Sequence, residues 1–295
     1  MTEVLADNLQ VWGFEKDFII FTDGSIGFGL ELTPIDVSCW KDESINDLSE
    51  RIMQFLNGLP AQIDLQLIQE IISDNSGTAA VHERLAVQEA GETANLLCQT
   101  RADRVRELDS HGLIPRHTLK LFVRRPLTNA LITSSSVFSK TKLFPSIAEE
   151  QLALEINGTN YLLTNVQTNL RAFGIRGTLI KSDEVIKLIY RQWNPCRPIE
   201  LGNYDPEDIR GTILFTDATL YEKGFSLSDM HYRVLSLKTL PDQTFASMAA
   251  TMRELPFVSR LFLTIYVPDQ QKELENLQAQ RRLAYAMARG KRSGV

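Results

Sequence analysis

FIIFTDGSIGFGLEL, residues 18 to 32, decides the class of fold. Phe18, Ile19, Ile20 and Phe21 form an apolar run, and Asp23-Gly24 follows as a turn pair that tolerates positive φ. Phe28, Leu30 and Leu32 then alternate with small or polar residues, the period of a half-buried strand. The stretch reads as a β-hairpin that ends at Pro34. Its glycines, Gly24, Gly27 and Gly29, stand as G-x-x-G-x-G between two strands. A dinucleotide fingerprint needs G-x-G-x-x-G between a strand and a helix, so these are hairpin glycines.

Downstream, Ile45, Leu48, Ile52, Phe55 and Leu56 fall at helical spacing, and the pattern predicts a helix over 44–57, stopped by Gly58 and Pro60. Ile63, Leu65 and Leu67 alternate with polar residues and predict a strand running on to Ile72. The Ala-, Glu-, Arg- and Leu-rich stretch 79–108 predicts one long helix, ended by His111-Gly112, with a strand at 119–123 beyond it. Residues 133–142 read as an exposed loop. A second long helix is expected over 146–173, bent near Gly158, which costs about 1 kcal/mol relative to Ala. A short strand near Leu179, a helix over 182–193 and a proline-stiffened linker, Asn194 to Pro198, complete the middle.

The opening order then returns. Thr212 to Asp217 reads TILFTD against FIIFTD at Phe18 to Asp23. Strands are expected over 232–240 and 257–267, with helices over 242–254 and 269–289. The reading is an α+β fold built from one β-β-α-β-α unit used twice, with antiparallel-leaning sheets and Phe21 and Phe215 in matching core positions. It divides the chain into a first unit (1–130), a helical insert and linker (131–200) and a second unit (201–295). Only six residues, Gly290 to Val295, follow the last helix. The second unit is therefore expected to be truncated, with an unpaired sheet edge or a borrowed strand, and an exposed edge recruits partners.

Composition narrows the function. The 295 residues are 43 % hydrophobic and 23 % charged, ordinary globular material. A net charge of −6 argues against a general nucleic-acid binder, and no apolar run approaches the roughly 20 residues of a membrane-spanning helix. The start lacks the order of a signal peptide, so a cytoplasmic location is expected. Cys39, Cys98 and Cys196 are odd in number and widely spaced, which suggests buried thiols in a reducing compartment.

No catalytic, cofactor-binding or metal-binding residue is assigned. A nucleotide-hydrolysing motor needs G-x-x-x-x-G-K-[ST], whose amides and lysine cradle phosphates. The only Gly-Lys here, Gly290-Lys291, is followed by Arg292. Asp23, Glu31, Asp36 and Asp217 stand at strand ends, where Asp satisfies turn amides. They would support a metal-dependent nuclease only if Asp23, Glu31 and Asp217 gathered in one cleft. His82, His111, His117 and His231 lack ligand spacing, and the glycosylation acceptor at Asn157-Gly158-Thr159 falls inside a predicted helix. Arg124-Arg125 and the tail Arg281, Arg282, Arg289, Lys291 and Arg292 are the basic clusters. The tail reads first as a solvated helix end whose cations complement the helix dipole, with anionic lipid or nucleic-acid phosphate as the alternative contact.

GFEKDFIIFTDGSIGFGLELTPID, the helix ending FLNGLP and the closing QRRLAYAMARG together resemble the F-type TraC ATPases of conjugative type IV secretion. The resemblance covers essentially the whole chain, and its motifs are structural. In that family an N-terminal α+β region precedes a RecA-like motor, so the resemblance implies a non-catalytic docking and assembly domain for DNA transfer and pilus assembly. It implies association with the inner-membrane secretion complex, including a small TraL-like membrane subunit. It further implies self-association with other motor subunits, peripheral to the inner membrane face, with no specific nucleic acid. A freestanding cytosolic scaffold or adaptor of similar fold is the alternative. Without a phosphate loop, the purified chain is expected neither to bind Mg-ATP at micromolar concentration nor to hydrolyse it, which isothermal titration and a phosphate-release assay check.

Overall fold

The computed structural model describes residues 8–33, 35, 37, 39–72, 76–87, 91–111, 113–114, 116–126, 149–197, 201, 204–237, 239 and 258–290. β1 (Val11–Glu15) turns through Lys16, at φ 55°, into β2 (Phe18–Phe21). The predicted hairpin follows: Gly24 lies at φ 83°, Asp23 Oδ1 accepts from the Ser25 amide at 3.1 Å, and β3 (Ile26–Thr33) returns antiparallel to β2.

The chain then makes α1 (Asp42–Asn57), β4 (Ile63–Ile72), α2 (Ser76–Val87), α3 (Glu92–Ser110) and β5 (Arg116–Arg125). After it come α4 (Glu149–Ala172), β6 (Arg176–Leu179), α5 (Ser182–Trp193) and α6 (Ile209–Ile213). β7 (Ala218–Tyr221), β8 (Gly224–Leu227) and β9 (Met230–Tyr232) form a small sheet, and β10 (Ser259–Val267) and α7 (Gln270–Gly290) close the described chain. The fold is α+β, and every strand pairing is antiparallel.

One seven-stranded sheet organises the molecule, in the order β1-β2-β3-β5-β4-β10. β2 and β6 share one edge of β3: β2 pairs with Ile26 and Gly27, and β6 pairs with Leu30 to Thr33. Alternation along the strands gives the sheet two apolar faces. Phe28, Leu30, Leu65, Leu121 and Val123 point to one face, where Leu163, Val166 and Leu170 of α4 bury them and Phe55 and Leu56 of α1 pack alongside. On the other face Ile19 packs with Val185 of α5, and Asp17 accepts from the Ser182 amide at the first turn of α5.

Several expectations are corrected. Residues 79–108 are two helices, α2 and α3, with Gly91 as the N-cap of α3. They lie side by side, and each buries one alanine, Ala79 at 2 % and Ala102 at 1 % exposure. TILFTD does not form a strand. Asp208 caps the Gly211 amide at 3.0 Å and starts α6, whose Ile209 and Ile213 bury against Ile186 of α5. A local cap and a waiting apolar pocket outweigh the β-propensity of Thr-Ile-Leu-Phe. Phe215, expected to match Phe21 in a core, is 49 % exposed.

Among the described residues of the strand expected over 232–240 only Tyr232 pairs, as the last residue of β9, and β10 joins β4 in the large sheet instead of building a second one. The described residues therefore do not repeat the first unit. The loop expected over 133–142 and the helix expected over 242–254 lie outside the described residues.

β3 approaches its neighbours closely at its glycines. A Cβ on Gly27 would stand 2.4 Å from the Val123 carbonyl oxygen and 3.0 Å from the Phe21 ring. Since the first contact is backbone, Gly27→Ala is expected to lower unfolding free energy by about 1–3 kcal/mol in urea denaturation, although Ala is the better strand former.

Candidate functional site

The sequence-derived polar residues are mostly engaged in holding the fold. Asp23 accepts from Ser25 and pairs with Arg124, and β-register places Glu31 opposite Lys120 in mid-sheet. Burial works to raise the Asp23 carboxyl, but the Ser25 hydrogen bonds and Arg124 outweigh it and hold the carboxyl below its ordinary value. Asp217 is exposed just before β7, and Asp36 lies outside the described residues. The structure supports no shared cleft for Asp23, Glu31 and Asp217. Among the described residues no group of three or more His, Cys, Asp or Glu could hold a metal.

The four histidines are dispersed over α2, the end of α3, β5 and β9. Cys39 and Cys196 are exposed and Cys98 is half-buried, against the expectation of buried thiols. Cys196 sits in the turn after α5, beside the exposed Arg197. No described helix is long and apolar enough to cross a membrane.

The basic pair turns inward. Arg124 bonds Ser25 at 2.8 Å and lies 5.2 Å from the centre of the Phe21 ring. Arg125 pairs with the buried Glu155 at 3.2 Å and donates to its carbonyl at 3.1 Å. Gly158 admits that guanidinium: a Cβ there would stand 2.6 Å from Arg125 Nη1. The glycine expected to bend α4 therefore serves a close contact. Of the tail, Arg281 lies 5.8 Å from the Tyr285 ring centre, and Lys291 and Arg292 are outside the described residues.

Sequence reasoning missed a buried charge cluster. Glu70 of β4 pairs with Lys120 of β5 on one side and, at 2.7 Å, with Arg260 of β10 on the other. Thr118 donates to the same carboxylate at 3.3 Å. Glu70 and Lys120 are 9 % and 8 % exposed. Burial pushes the Glu70 carboxyl up, but hydrogen bonds and charge from Lys120 and Arg260 prevail and hold it below its ordinary value of 4.5. No motif announces the cluster; its members lie far apart in sequence and meet only through strand register.

Glu70 and Lys120 also line a cleft of about 190 Å³ between the sheet and α5. Ile68, Phe122, Leu188 and Ile189 make its walls largely apolar, and Gln66 and Gln192 line it too. Beyond α5 the sheet carries exposed apolar side chains. β10 carries Leu261, Phe262, Leu263 and Tyr266 at 40 %, 47 %, 52 % and 56 % exposure. Leu261 and Leu263 continue one face, while Phe262 and Tyr266 continue the other. Among the described residues β4 is the only strand paired with β10.

α7 follows, exposed from Gln270 to Tyr285, with Leu274, Leu277, Leu283 and Tyr285 all more than half exposed. Contiguous exposed apolar surface of this kind marks an interaction site. This surface, and no set of reactive groups, is the strongest functional feature of the described chain.

A scan against protein-family models returned no match, and a search of curated proteins returned no relative.

Removing one member of the cluster leaves buried charge without its partner. Glu70→Gln is expected to destabilise the fold by about 3 kcal/mol, and Glu70→Leu combined with Lys120→Met to recover most of that loss, as read by urea denaturation. Because the Glu70 carboxyl is lowered on folding, its contribution is present above its ordinary value of 4.5 and is lost as pH falls through the lower folded value. A denaturation series over that acid range is expected to show a shallower loss of stability in Glu70→Gln.

Proposed function

We propose that the chain is a docking and assembly domain of a conjugative type IV secretion ATPase, belonging N-terminal to a motor and performing no hydrolysis itself. Its role is to hold motor subunits together and against the inner-membrane secretion complex during DNA transfer and pilus assembly. The sequence resemblance to the F-type TraC ATPases supports the family. One structural observation supports the docking role: α7 presents Leu274 and Leu277 one turn apart, at 58 % and 59 % exposure, on a helix exposed from Gln270 to Tyr285. An amphipathic partner helix recognises such i, i+3 anchors in a groove-and-ridge contact. The acidic balance of the chain suits protein partners better than nucleic acid.

The partner of stated chemistry is a small TraL-like membrane subunit, which would keep the domain at the cytoplasmic face of the inner membrane. Co-expression with such a subunit in detergent is expected to give co-elution. Leu274→Asp with Leu277→Asp is expected to weaken that association at least about tenfold, because the two anchors lie in one contact. Co-elution that the double variant leaves unchanged would remove α7 as the docking element. Failure of a folded membrane subunit to bind the native chain would remove the docking reading itself.

A further inference from the structure

We propose that β10 is a homotypic assembly strand: two copies of this chain join their large sheets edge to edge by pairing β10 with β10 antiparallel about a two-fold axis. The proposal deepens the assembly role given above and rests on it for its purpose.

The two ends of the strand order, β1 and β10, are treated differently. At the β1 edge, α6 packs against the strand, with Ile209 and Ile213 meeting Phe14 and Leu9. At the β10 edge nothing pairs among the described residues. Natural edge strands are protected by charges, proline, bulges or shortness. β10 has nine residues, SRLFLTIYV, in unbroken register with β4 from Ser259↔Ile71 to Val267↔Ile63. It contains no proline and one charged residue, Arg260. That arginine is already neutralised from the inner side by Glu70.

The occupant follows from the pairing geometry. A two-fold axis perpendicular to the sheet joins two edges as antiparallel strands and keeps each face continuous. Residues opposite each other must then share a face, because side chains alternate along a strand. The register that overlaps all nine residues sets Leu263 opposite Leu263 of the second copy. It also sets Leu261 opposite Ile265, and Arg260 opposite Tyr266.

No like charges meet. The one cation faces an aromatic ring, a favourable cross-strand pair. Leu261, Leu263 and Ile265 join their counterparts into one apolar strip, and Phe262 and Tyr266 continue the opposite face. Parallel pairing in full register would instead set Arg260 against Arg260. The interface is isologous and closes at two copies.

Sedimentation equilibrium of the full chain is expected to show a reversible dimer. Leu263→Lys places two ammonium groups against each other on the axis and is expected to weaken the dimer about a hundredfold or more. Leu235→Lys, at a site 86 % exposed and outside β10, is expected to leave it unchanged. Unchanged thermal melting of monomeric Leu263→Lys would separate lost pairing from lost folding.

In a Cys39→Ser, Cys98→Ser, Cys196→Ser background, Leu263→Cys is expected to give a reducible dimer and Leu261→Cys far less. A chain that stays monomeric to its solubility limit, or a dimer indifferent to Leu263→Lys, overturns the proposal. A monomer that still binds the membrane subunit would overturn the pairing and leave the docking reading intact. A Leu263→Lys-sensitive dimer that binds no membrane subunit would do the reverse.

Discussion

Glu70 lies between two cations drawn from the strands on either side of it, and that arrangement holds one side of the sheet together. A carboxylate buried this deeply would be costly alone, because the sheet offers little water to solvate it. Lys120 and Arg260 remove the cost by bonding separate oxygens of the same carboxylate, with Thr118 as a third donor. The bond to Arg260 matters most for architecture, since it ties β10 to a strand nearly two hundred residues earlier in the chain. Register slippage by one residue would move Arg260 to the opposite face and leave Glu70 with one partner. The cluster therefore selects a register as well as adding to stability.

From that anchored edge the helices cover the sheet unevenly. α4 and α1 cover one face and α5 part of the other, so β2 is enclosed on both faces. Asn194, 2 % exposed, fastens the next segment to α5. It donates to the Tyr190 and Ile213 carbonyls, and its oxygen accepts from the Phe215 amide and the Thr216 hydroxyl. All of its hydrogen-bonding capacity is met, which specifies how the chain turns into α6. The β10 side has no comparable cover among the described residues. Among the described residues the sheet thus has a covered β1 side and an unpaired β10 side.

The same division explains why no reactive site stands out. Asp23, Glu70, Arg124 and Arg125 are each matched to a partner within the fold. Groups satisfied in this way hold geometry and are poorly placed to exchange protons or ligands. Exposed apolar side chains on β10 and α7 are not matched in this way, and apolar surface is recognised by another apolar surface.

Local pattern alone determined the β2–β3 hairpin, α1, β4, β5, α4 and α5, because each has a clean period and a turn or cap at its ends. It also determined the α+β class. It failed where two local signals competed. In 208–217 the β-branched and aromatic run suggested a strand, while Asp208 supplied a helix cap that only the pocket beside Ile186 made decisive. In 79–108 uniform helix formers concealed the break ahead of Gly91. The Glu70 cluster, the choice of β4 as the neighbour of β10, and the open edge were decided by tertiary structure alone. Each depends on which strands lie side by side, and side-chain periodicity carries the face of a strand but not the identity of its neighbour.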